Sequence, residues 1–293
     1  MAEARPYNGR VKSPGRAHLS VISLAAIALG GLAAWGFFNY VRAPRLTPEL
    51  RGYELAERLG CHGCHGPRGT GGVPNPRADD GEIPAWDGGN AMMYVKNESE
   101  IREWILDGRP WRLTMRDSLA ARSAERDSAF PKPGEVNLRP RPLARIELPV
   151  RMPAFRGVVT ERELTDLVAY YKAVAVFGEM PDSVHAGYRA ARELGCFGCH
   201  GPGGLVGARN PRSFKGYIPP WRGNDFRELV QDDDELRTWI LDGSIPRLTE
   251  NRVARWFMTR QVVGMPAYRG VAADSSLASI VGYIRWLSET QPE

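Results

Sequence analysis

The chain has 293 residues and four cysteines, and every cysteine stands in one of two Cys-x-x-Cys-His runs. These are Cys61-His62-Gly63-Cys64-His65 and Cys196-Phe197-Gly198-Cys199-His200. A bare Cys-x-x-Cys serves a dithiol redox pair or half of a zinc site, whereas an immediately following His reads as c-type haem attachment. Geometry supplies the reason. One short turn offers two thiols to the porphyrin vinyl groups, and the next residue sets an imidazole on the iron. A structural zinc site asks for four ligands, and what the two runs share is two Cys and one His, since His62 is replaced by Phe197 in the second. Both runs together use all four cysteines, so none remains for a disulfide. The spacing therefore predicts two covalently bound haem c groups, held by Cys61, Cys64, Cys196 and Cys199, with His65 and His200 on the iron.

The elements that must position these runs are themselves duplicated, and a repeat is the first thing to look for in any sequence. Residues 52–114 align with 187–249 at a constant offset of 135, and 32 of the 63 positions are identical. Shared landmarks are LGC-x-GCHGP, N-P-R, I-P-x-W and W-I-L-D-G. The offset then falls to 113, where Met152-Pro153-Ala154-Phe155-Arg156-Gly157 meets Met265-Pro266-Ala267-Tyr268-Arg269-Gly270. The first copy thus carries 22 extra residues within 115–151, and their Arg- and Pro-rich composition predicts an extended excursion.

Helices are expected in matching places. Pro48–Leu59 and Val184–Leu194 lead into the cysteines and stop at Gly, and Glu98–Leu106 and Asp233–Leu241 stop at Asp-Gly. Thr160–Val174 and Asp274–Leu287 carry apolar residues at helical spacing. No alternating strand pattern stands out. The fold class is all-α, with domains at 46–178 and 182–293.

Composition is ordinary for a globular chain, 43% hydrophobic and 25% charged. The net charge of +5 invites a nucleic-acid reading, but the excess lies in residues 1–45, with six Lys/Arg against Glu3. Beyond them basic and acidic residues are equal in number, so nucleic acid drops out. Residues 19–41 carry no charge. As a helix, that stretch spans ~34 Å, enough for a hydrocarbon core. A cleaved secretory signal is the alternative, but its apolar stretch is normally shorter. The run also leaves through Trp35, Phe37, Phe38 and Tyr40, aromatics suited to a membrane interface. The reading is a basic tail over 1–18, a single transmembrane anchor over 19–41 in contact with the lipid bilayer, and a body outside.

Twice over, at roughly 48–176 and 183–289, the chain resembles the class I cytochrome c family. In that family a helix leads into the haem motif, a loop supplies a Met to the opposite face of the iron, and a C-terminal helix crosses the first. The resemblance implies two tandem class I cytochrome c domains, with haem installed outside the bacterial cytoplasmic (inner) membrane, on the periplasmic side. Of the eight Met, only Met152 and Met265 coincide in the repeat, so they are the sixth ligands it implies. The family steadies the ligand His with a Pro carbonyl, and Pro76 and Pro211, each eleven residues past its His, are the expected acceptors. Trp86 and Trp221 either donate to a buried haem propionate, with Arg77 and Arg212 as charged partners, or pack the haem edge. Trp104 and Trp239 are expected in the core, and His62 at the surface.

A thioether opposite His favours reduced iron and raises the potential, so both haems are expected to be electron-transfer centres. The expected function is electron carriage outside the membrane, in which the chain itself is not an enzyme. The expected partners are a membrane redox complex, such as a cytochrome bc-type or other quinol-oxidising complex, and a terminal oxidase, reductase or photosynthetic reaction centre. The alternative is a dihaem enzyme such as a peroxidase or a thiosulfate dehydrogenase, which needs an open haem position or a Cys ligand.

Overall fold

The computed structural model describes residues 16–76, 78, 80–87, 89, 91–128, 150–176 and 180–290. It divides into two units, one ending at Pro44 and one running from Arg45. The first holds α1 (Arg16–Arg42), whose segment Ser23–Arg42 is long and apolar enough to cross a membrane. Its apolar side chains, Leu24, Ile27, Leu32 and Trp35 among them, are exposed.

The second unit is mostly helical and repeats one plan twice. The first copy holds α2 (Pro48–Arg58), α3 (His62–His65), α4 (Ala91–Tyr94), α5 (Glu98–Asp107), α6 (Trp111–Ser128) and α7 (Glu161–Ala175). The second holds α8 (Asp182–Glu193), α9 (Phe197–His200), β1 (Ala208–Arg209), β2 (Tyr217–Ile218), α10 (Asn224–Leu229), α11 (Asp233–Asp242), α12 (Pro246–Thr249), α13 (Arg252–Met258) and α14 (Asp274–Thr290). The only strands among the described residues are β1 and β2, an antiparallel pair of two residues each, too short to leave an alternating pattern.

Local chemistry sets the helix ends. Thr47 caps α2 through Leu50 N–H, with Pro48 at the first turn. Thr160 and Glu163 close a capping box on α7. Asn97 and Asp232 cap α5 and α11, which stop at Gly108 and Gly243 in the left-handed region. In each copy the first helix crosses the last at a glycine. A Cβ on Gly52 would lie 2.0 Å from the Asp166 carbonyl oxygen, and one on Gly187 would lie 2.0 Å from that of Ser279. Tyr170 and Tyr283 seal these crossings, and both are almost fully buried.

The two copies are packed on one another. Val206 and Tyr217 of the second join Leu50, Leu55, Tyr170 and Val174 of the first in one buried cluster. Charges cross as well. Glu49 pairs with Arg222, Arg45 with Glu228 at 2.7 Å, and the Arg45 backbone N–H donates to Asp225 at 2.9 Å.

The start of the insert departs from expectation, because residues 111–128 form helix α6 rather than an extended excursion. That stretch contains no proline and is rich in Arg and Ala, which are good helix formers. The prolines begin at Pro131, and residues 129–149 lie outside those described.

Candidate functional site

Each Cys-x-x-Cys-His run sits at the end of a helix that folds back on itself. Cys61 N–H reaches the Ala56 carbonyl at 3.0 Å, and His65 N–H reaches Cys61 at 3.0 Å. The second copy repeats both bonds, Cys196 to Ala191 and His200 to Cys196, again at 3.0 Å. All four cysteines are free and partly buried. Burial pushes the Cys61 and Cys196 thiols up, so they are thiols rather than thiolates at neutral pH.

His65 Nδ1 lies 2.9 Å from the Pro84 carbonyl oxygen, and His200 Nδ1 lies 3.2 Å from that of Pro219. A carbonyl can only accept, so Nδ1–H donates and Nε2 keeps its lone pair for a metal. Burial pulls both imidazoles down, His200 to about 4, against a smaller opposing effect of the carbonyl bond. Both rings are therefore neutral at pH 7. Trp86 and Trp221 lean on them, with ring centres 4.9 and 5.0 Å away. Their backbones are tied to the Gly69 and Gly204 carbonyls at 2.8 and 2.7 Å.

The expected acceptors Pro76 and Pro211 are corrected by these distances. Both are exposed, and the Pro211 carbonyl accepts instead from Val262 N–H at 3.2 Å. After N-P-R the chain turns back on itself, through β1 and β2 in the second copy and a Pro74–Glu82 bridge in the first. The returning I-P-x-W segment then passes the imidazole. Its proline, shared by both copies, was the available signal.

The methionine segments are held by three landmarks of the repeat. Asn210, almost fully buried, donates to the Val263 carbonyl at 2.8 Å and accepts from Val263 N–H at 3.0 Å, two residues before Met265. Asn75 clamps Val150 in the same way at 3.1 and 3.0 Å, two residues before Met152. Beyond the methionines, Phe155 and Arg156 N–H bond the last carbonyls of α5, and Tyr268 and Arg269 those of α11. Arg156 then grips Asp107 through two 2.7 Å bonds, and Arg269 grips Asp242 at 2.7 and 2.8 Å. A Cβ on Gly108 would lie 2.4 Å from the Met152 carbonyl oxygen, and one on Gly243 2.4 Å from that of Met265. W-I-L-D-G and M-P-A-aromatic-R-G are thus two halves of one clasp. The roles of the asparagines were missed from sequence, although their identity in both copies was on view.

In the second copy Cys196, Cys199, His200 and Met265 line one cavity of about 520 Å³, within the usual ~300–1,000 Å³ of a ligand site. Its walls are largely apolar and include Trp221, Leu236, Ile240, Phe257 and Ile284. Trp239 also lines it, and its indole N–H is buried without a hydrogen-bond partner. A buried donor left unpaired is costly, and one that faces a cavity is placed to meet an acceptor on a ligand. The matching Trp104 donates to the Tyr94 carbonyl at 3.2 Å instead. Trp239 packs against the core, as expected, and lines the cavity as well.

Arg212 is exposed and lies outside the cavity lining, so it does not join Trp221 there. Arg77 lies outside the described residues. Met152 is half-buried, as Met265 is. His62, expected at the surface, is half-buried. Its Nε2 sits 2.9 Å from the Tyr170 hydroxyl, and its ring stacks on Tyr53 at 5.5 Å. Among the described residues no group of three or more His, Cys, Asp or Glu could hold a metal ion. The donors that line the cavity are two thiols, one neutral imidazole and one thioether, a set that could hold a transition metal carried in an organic ring. Comparison with protein-family models, with curated proteins and with solved structures gives no match.

Proposed function

We propose that this chain is a membrane-anchored dihaem c-type cytochrome that passes single electrons between a quinol-oxidising membrane complex and a terminal acceptor. Each half is read as a class I cytochrome c domain, and α1 as the single anchor that keeps both outside the cytoplasmic membrane. The observation that carries the reading is the second cavity, where both thiols, the His200 imidazole and the Met265 thioether line one apolar space.

The residues present fit such a group. Free, partly buried cysteines suit addition to vinyl groups, an unprotonated Nε2 suits iron, and the unpaired Trp239 N–H suits a carboxylate oxygen. Cys61 and Cys64 would hold the first haem with His65 and Met152 on its iron, and Cys196 and Cys199 the second with His200 and Met265. Haem iron supplies a one-electron couple when bound. The chain does the rest. Prolyl carbonyls hold each imidazole in one tautomer and orientation. The Asn and Arg–Asp clasps hold each thioether in place through both valence states, and the apolar walls exclude water. Fixed ligands of this kind keep reorganisation small and favour electron transfer over substrate chemistry.

The test is a count of covalent haem per denatured chain from its alkaline pyridine spectrum. Two per wild-type chain are expected, and one in Cys196→Ala/Cys199→Ala. A wild-type chain without covalent haem overturns the reading.

A further inference from the structure

The turns that follow the two Cys-x-x-Cys-His runs are superposable in conformation but not in sequence. Each is a short 3-10 turn, Pro67–Gly69 and Pro202–Gly204, whose middle residue is left-handed. In the second copy that residue is Gly203 at φ 59°, the residue suited to it. In the first it is Arg68 at φ 56°, one of three non-glycine residues with positive φ among those described. A long side chain held in a strained conformation points to a role for that side chain.

Its guanidinium supplies one. Arg68 Nη1 donates to the Gly198 carbonyl oxygen at 3.1 Å, across 130 positions of sequence. Gly198 stands inside the second run, between Cys196 and Cys199. The backbone of Arg68 therefore follows the first run, three residues past His65, while its guanidinium reaches the second as well as Tyr53 of the first copy. The arrangement is one-sided. Gly203, the position equivalent to Arg68, has no side chain with which to reach the first run.

We propose that Arg68 is a positioning and tuning residue that ties the two haem runs together and holds up the reduction potential of the haem carried by the second. The proposal rests on the dihaem reading above. The physics is Coulombic: oxidised iron would carry one more positive charge than reduced iron, so a cation held at the run that carries it would disfavour oxidation. It also breaks the symmetry of the repeat, since the position equivalent to Arg68 in the second copy is Gly203.

Redox titration of purified holoprotein, with covalent haem counted per chain, compares wild type with Arg68→Gly and Arg68→Lys. Arg68→Gly installs the residue the second copy already carries there, so its Tm is expected to be unchanged or higher. One of its two haems is expected to show a reduction equilibrium constant about three- to tenfold lower, which at 59 mV per tenfold is about 28–59 mV. Arg68→Lys keeps the charge and is expected to stay close to wild type. Two haems with potentials unchanged in Arg68→Gly overturn the proposal and leave the dihaem reading standing. An equal fall in Arg68→Lys overturns it too, because charge is then not the lever. Fewer than two haems per wild-type chain overturns the reading and the proposal together.

Discussion

At the scale of single residues, the methionine clasp is held by groups that bind nothing themselves. Truncating Asn210 leaves the Val263 N–H and carbonyl without their partner in a site that is 3% exposed at the Asn. Asn210→Ala is therefore expected to cost about 1–3 kcal/mol, read as a lower urea midpoint. Reduced Asn210→Ala should also take up carbon monoxide, because Met265 is no longer pinned. An unchanged midpoint would show that the clamp carries no load. Gly243 is a second such residue. Gly243→Ala places a Cβ 2.4 Å from the Met265 carbonyl oxygen at a φ of 69°, and a loss of about 1 kcal/mol or more is expected. Equal stability of Gly243→Ala and wild type would contradict this. Sequence shows at this scale what is local, as in the spacing of the two Cys-x-x-Cys-His runs. It did not show which prolyl carbonyl meets the imidazole, because Pro84 and Pro219 are set by a reversal of the chain. Trp239 was hidden for the same reason, since only the assembled cavity reveals a donor without a partner.

At the scale of elements, the paired helices that lead to and cross behind each run were legible almost to the residue. Their caps and apolar stripes are written within a few positions of one another, as in Thr160–Glu163 and the Asp-Gly ends of α5 and α11. Helix α6 was not, because the prolines that follow it coloured the whole insert. The ends of α5 and α11 also carry a pH dependence. Arg156 and Arg269 hold the Asp107 and Asp242 carboxyls below the ordinary carboxylate range by direct hydrogen bonds. A carboxyl depressed on folding contributes stability above its unfolded value, and that contribution disappears as pH falls through the folded one. Asp242→Asn removes it at the outset. The fall in urea midpoint below about pH 4 is therefore expected to be shallower in Asp242→Asn than in wild type. Parallel curves would show that the Arg269 bond adds nothing.

At the scale of the whole molecule, the two copies are joined by more than a linker. Val206 and Tyr217 complete the core of the first copy, and the Glu49–Arg222 ion pair is buried between them. Removing one partner of a buried pair strands the other, so Arg222→Ala is expected to cost about 3–5 kcal/mol. The unit from Arg45 onward should also unfold in one transition rather than two. Sequence could show that the body is duplicated but not how the copies meet, because contacts such as Arg68 to Gly198 lie where the copies differ. The central claim is that each copy holds an iron between His and Met, His65 with Met152 and His200 with Met265. A spectroscopic redox titration of the purified holoprotein, with carbon monoxide added to the reduced form, tests it most directly. Two positive potentials and no uptake of carbon monoxide are predicted, whereas a low-potential haem, or one that binds carbon monoxide readily, would contradict the account.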